Sequence, residues 1–229
     1  MNEYLNPGPM TDSTHPAVVA FATAHARGDS ALERAVSLYY AVRDQVRYDP
    51  YNVQLTEVAF CASTTLATRR AWCVPKAILL AAVCRAQGIP ARLGYADVKN
   101  HLSTQRMREE MKTDLFAWHG YTDIFLEGQW VKATPAFNIE LTQKFRLLPL
   151  EFDGRCDSIY HPFDARGNKH MEYVQQRGTY AECPIDTLRA AFADIYAGAS
   201  WLSMAETKEG MRGADFDADV ALEVAGTKT

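Results

Sequence analysis

From Cys73 to Cys84 the chain is apolar almost without interruption, and only Lys76, Arg85 and Gln87 are clearly polar around it. A helix that is apolar on every side is buried rather than laid on a surface. Its limits are readable. Pro75 is tolerated only in the first turn, so the helix begins within a residue or two of Cys73 and runs to Gln87; Gly88, with Pro90 beyond it, marks the end. Upstream, Pro16 opens a helix from about His15 to Ala26 that Gly28 closes. Ser30 with Glu33 three residues on is a capping-box pattern, and the helix behind it carries Leu32, Ala35, Val36, Tyr39, Val42 and Val46 at helical spacing. Residues 53–70, polar and small, predict a loop with one short helix.

Beyond the central helix the period changes from helical to alternating. Residues 89–98 predict a strand. Residues 116–126 predict a second, with Ala117, His119, Tyr121, Asp123 and Phe125 on one face and Phe116, Trp118, Thr122, Ile124 and Leu126 on the other. Glu127-Gly128 turns the chain into a third, residues 129–134, which Pro135 ends. The charged stretch 99–114 between the first two strands reads as a solvated loop or exposed helix, and its length suits a lid. Residues 139–183 carry turns at Asp153-Gly154 and Arg166-Gly167 but no clear period, and 186–197 predicts a helix closed by Gly198. The resulting division is a loose arm over 1–15, a core over 16–138, an extension packed on it over 139–204 and a mobile tail over 205–229.

Composition narrows the classes. Of 229 residues 48% are hydrophobic, enough for one sizeable core, and a net charge of −4 with interspersed signs excludes a polyanion-binding surface, so no nucleic-acid partner is expected. No apolar run reaches the ~18 residues that cross a bilayer, and the first residues lack the basic and apolar regions of a secretory signal. The five cysteines, Cys61, Cys73, Cys84, Cys156 and Cys183, are odd in number and widely spaced, against a disulfide framework or a cysteine zinc site. His161, His170, Asp157 and Asp164 match no metal-ligand spacing. The expectation is a cytoplasmic protein with no metal, no cofactor and no membrane partner.

Two residues carry candidate chemistry. Cys73 stands at a helix N-terminus, where the macrodipole favours thiolate and lowers the thiol pKa. His119 lies in an apolar strand. A helix-borne thiol and a strand-borne imidazole are what nucleophilic acyl chemistry requires, the imidazole handling the thiol proton and then protonating the leaving group. Trp72 and Trp118, beside them, are candidates for substrate contact.

The passage Cys73-Val74-Pro75-Lys76-Ala77, continuing through Cys84-Arg85-Ala86-Gln87-Gly88-Ile89-Pro90-Ala91-Arg92, is similar to the nucleophile signature of the transglutaminase-like superfamily. Trp118-His119-Gly120-Tyr121-Thr122-Asp123, followed by Gly128-Gln129-Trp130-Val131, resembles its histidine hairpin. The resemblance implies an α+β, papain-like fold in which the cysteine helix packs on an antiparallel sheet bearing the histidine. It also implies thiol-dependent acyl chemistry on an amide or peptide-like substrate. One position departs from the pattern. Where the family usually has an aspartate that orients the histidine, Val131-Lys132-Ala133-Thr134-Pro135 places Thr134, whose hydroxyl brings no charge to an imidazolium. Asn138 is the alternative third residue, on a cysteine–histidine–asparagine plan; Asp153 is a further one, while Asp123 is too far along the strand from His119 for direct contact. Hydrolysis, transfer to an amine, and a catalytically impaired binding module all remain open, as does the oligomeric state.

Overall fold

The computed structural model describes residues 1–100, 103–160, 163, 167, 170–199, 202 and 215–226. Helices α1 (Pro16–His25) and α2 (Ala31–Gln45) lead into strand β1 (Arg47–Tyr48), short helices α3 (Glu57–Phe60) and α4 (Ala62–Thr68), and strand β2 (Arg70–Ala71). Then come helix α5 (Cys73–Ala86), strand β3 (Ala91–Asn100), helix α6 (Gln105–Met111) and the hairpin β4 (Leu115–Leu126) and β5 (Gln129–Ala133). Helix α7 (Ile139–Phe145), strand β6 (Met171–Tyr180) and helices α8 (Ile185–Ile195) and α9 (Phe216–Gly226) complete the described chain.

Helix α5 is the hub. Every residue from Cys73 to Arg85 is buried, and the helix packs against β4 on one side and α1, α2 and α4 on the other. It ends as the sequence predicts: Gly88 takes φ +70°, Ile89 N–H returns to the Cys84 carbonyl (3.0 Å) and Gly88 N–H to that of Arg85 (2.9 Å). This paired closure satisfies carbonyls that a helix end otherwise leaves open. Lys76 ties α5 to α2. Its Nζ donates to the carbonyls of Arg43 (2.9 Å) and Val46 at the end of α2, and burial pushes its pKa well below the ordinary lysine value. The Ser30–Glu33 capping box that starts α2 is present in both directions.

The sheet runs β5-β4-β3-β6, antiparallel throughout, so the histidine strand β4 sits inside it. Its edge strand β6 is an element the sequence pattern does not announce. The short parallel pair β1–β2 brings Tyr48 beside Ala71, just ahead of the cysteine. Residues 1–15, read from composition as loose, are pinned: Glu182 accepts from Met10 N–H, Thr11 N–H and the Thr11 hydroxyl, and Arg85 donates to Asn6 O and Thr11 Oγ1. Residues 215–226, part of the expected tail, form α9 and its approach, which meets α6 and α7; the rest of that tail, with His161, Asp164 and Arg166, lies outside the described residues. Among the described residues no helix is long and apolar enough to cross a membrane, and all five cysteines are free thiols.

Candidate active site

Cys73 is the first residue of α5, preceded by an extended Trp72. What lets the cysteine reach the histidine strand is a missing side chain. A Cβ on Gly120 would lie 3.0 Å from Val74 Cα and 3.0 Å from Val74 Cγ2, so the first turn of α5 rests directly on the backbone of β4 beside His119. The N–H groups of Gly120, Val74 and Cys73 face the sulfur and favour thiolate. Burial outweighs them and pushes the Cys73 thiol up to about 12, so the expected lowering by the helix N-terminus is overturned. The dipole is worth at most about 2 kcal/mol, whereas burying an ion without a counter-charge costs several.

His119 is 4% exposed, and burial alone pushes its pKa down to about 4. Its ring packs on Tyr160 (centroids 5.2 Å apart), which packs on Phe137 (5.0 Å), which in turn meets Tyr48 (4.8 Å). Tyr160 arrives on a segment added to the free edge of β5, through the Ala133–Ser158 bridge and the Ser158 N–H to Lys132 O bond (2.7 Å). Burial thus disfavours the charged form of both the thiol and the imidazole.

The candidates for a third residue are placed but do not close on His119. Among the described residues, His119 Nε2 and Thr134 Oγ1 are each buried without a hydrogen-bond partner. The Thr134 side chain adjoins the Tyr173 hydroxyl, and its carbonyl accepts from Tyr39. Asn138 Oδ1 accepts the Tyr48 N–H (3.1 Å), which anchors β1. Asp153 is spent on a turn, accepting from Arg155 and Cys156 N–H. Asp123 pairs with Arg92 (3.1 Å).

Cys73 and His119 share the floor of one cleft enclosing about 720 Å³, open solvent at its mouth included. Trp72 forms part of the wall with Tyr48 and Tyr51; Met107 and Met111 come from α6, Phe192 from α8 and Tyr196 from its C-cap. Among the described residues the lining holds one carboxylate, Glu110, and no lysine or arginine. Trp118 is not part of it. That residue takes φ +56° and packs between Tyr95 (5.3 Å) and Tyr180 (6.3 Å). The left-handed conformation costs a bulky residue about 1–3 kcal/mol and breaks the alternation predicted for the strand, so Phe116, Ala117 and His119 all border the cleft. Sequence reasoning missed Gly120, Tyr160 and Asp97, whose carboxylate accepts the Trp118 N–H (3.0 Å). A glycine inside a strand is a signal of close backbone approach and could have found the first. The other two depend on strand register.

A cysteine helix seated on an antiparallel sheet that carries a histidine, both residues opening into one cleft, defines the class of the fold. The model of the transglutaminase-like superfamily matches residues 19–135, and the chain belongs to that superfamily. No curated protein matches the chain. Among solved structures it is similar to a "Putative Cysteine Protease from Cytophaga hutchinsonii", at 18% identity and TM-score 0.44, over 77% of this chain and 53% of that one. The chain thus spans about half the length of that protein.

Proposed function

We propose that this protein performs thiol-dependent acyl chemistry on an amide or peptide-like substrate, with Cys73 as nucleophile and His119 as its base and acid. The observation that carries the reading is that both residues line a single cleft. Because burial disfavours the charged form of each, the thiolate is made as the substrate reacts. The imidazole takes the Sγ proton as sulfur bonds to the carbonyl carbon, and the oxyanion gathers at the N–H groups of the α5 start. The imidazolium then protonates the leaving amine as the C–N bond breaks, and water or an amine opens the thioester. Residues 16–138 act as the core, and the extension over 139–204 supplies the α8 wall and Tyr160.

The lining favours an apolar acyl group: a charged one would be stripped of water against Met107, Met111, Phe116 and Phe192 with no cation to meet it. Five free thiols suit a reducing, cytoplasmic setting. The test is a series of p-nitrophenyl esters and anilides with butyryl, phenylacetyl and succinyl groups. Phenylacetyl is expected to exceed succinyl at least tenfold in kcat/KM, with turnover abolished in Cys73→Ala. Turnover retained in Cys73→Ala would sink the mechanism. One observation favours a second reading, an impaired binding module: among the described residues no carboxylate backs His119 Nε2. It predicts acyl-amide binding without any acyl-enzyme.

A further inference from the structure

We infer that Asp97 and Arg177 form a positioning pair that fixes the direction of His119, by holding open a β-bulge immediately before it. This rests on the reading of His119 as the base. The ladder between β3 and β4 pairs Ala96 with His119 and then Val98 with Phe116, so Ala117 and Trp118 together oppose the single residue Asp97. A bulge of this kind leaves backbone groups without ladder partners and redirects the side chains beyond it. Here both freed N–H groups are met by side chains. Ala117 N–H donates to the Tyr196 hydroxyl (2.7 Å), and Trp118 N–H to Asp97 Oδ1 (3.0 Å).

Asp97 is 2% exposed, and a carboxyl group so buried is costly unless it is paired and hydrogen-bonded. Arg177 supplies the partner from the neighbouring strand. Its Nε donates to Oδ1 and Oδ2 (3.0 and 3.1 Å) and its Nη2 to Oδ2 (2.6 Å). Arg177 reaches inward because β6 has its own irregularity there: Tyr95 pairs with Gly178 and Ala96 with Gln176, which leaves Arg177 without a partner in the ladder. Two bulges on opposite sides of β3 are therefore joined through one carboxylate. The product of the joint is the left-handed Trp118, and with it the turn that sends His119 rather than Trp118 into the cleft. Neither residue touches the cleft, so both act through the backbone of β4.

The experiment compares wild type with Asp97→Asn, which keeps an oxygen for Trp118 N–H but loses the ion pair, and with the milder Arg177→Gln. Long-range ¹⁵N–¹H spectra of the imidazoles, with His119 assigned by His119→Gln, read the ring directly. Steady-state kinetics on the best ester of the series read the consequence. The pair as a positioning device predicts that His119 ring signals shift by more than a linewidth in both variants. It also predicts a fall in kcat of at least tenfold with KM within about threefold, in protein whose circular dichroism is native. Unchanged His119 signals in folded Arg177→Gln overturn the inference, whether or not wild type turns the ester over. Absence of wild-type turnover with shifted signals counts only against the Cys–His mechanism.

Discussion

Gly120 decides how near the thiol comes to the imidazole strand, because any Cβ there meets the backbone of Val74 at 3.0 Å. Gly120→Ala is expected to lower stability by about 1–3 kcal/mol, as overpacking does, and to reduce turnover more than its stability loss explains; urea unfolding beside kinetics on the folded fraction measures both. His119 makes a separate prediction about acid. Its folded pKa, about 4, lies below the 6.5 of a free histidine. Between those values the unfolded chain binds the extra proton, so folding stability is complete above about 6.5 and is lost as pH falls toward 4. The loss amounts to roughly 3 kcal/mol at 1.36 kcal/mol per pKa unit. Unfolding midpoints measured at pH 7.5 and 4.5 should therefore differ less in His119→Gln than in wild type. An equal difference would mean that His119 keeps its proton when folded. The residue scale is also where the sequence is hardest to read: Thr134 and Asn138 are visible as candidates, but the residues beside them, Tyr173 and Tyr48, come from remote segments.

Among the elements, α5 announces itself because each of its signals is local: the apolar run, Pro75 in the first turn and Gly88 at φ +70°. The capping box of α2 and the Glu127-Gly128 turn are equally local, both turn residues having positive φ as a tight hairpin needs. Strand β6 was not legible, since Glu172, Gln175, Gln176 and Arg177 give it no apolar alternation and only pairing with β3 makes it a strand. The alternation of β4 misled at Trp118 because a bulge depends on what the next strand offers. Coupling between elements yields its own prediction. Lys76→Met removes the donor from the Arg43 and Val46 carbonyls, and each buried carbonyl left unmet costs about 1–3 kcal/mol. A loss of at least 2 kcal/mol in chemical unfolding is expected, against little change if the end of α2 finds other partners.

Across the whole molecule the cleft is assembled from β1, the start of α5, β4, the α6 connection and α8, of which α8 lies beyond the matched residues 19–135. The sequence placed Cys73 and His119 in their elements but not the walls, because Met107, Phe192 and Tyr196 become lining only once the chain is folded. It also led to a lowered thiol pKa, the opposite of what a site buried this deeply imposes. In the proposed mechanism His119 takes the Cys73 proton while the substrate is bound. The most direct measurement is therefore intact and peptide-mapped mass spectrometry after brief incubation with a phenylacetyl ester, in wild type, His119→Ala and Cys73→Ala. The account predicts a phenylacetyl adduct on Cys73 in wild type, at least a hundredfold slower to form in His119→Ala and absent in Cys73→Ala. An adduct only on the exposed Cys156, or one on Cys73 that forms equally fast without His119, would contradict it.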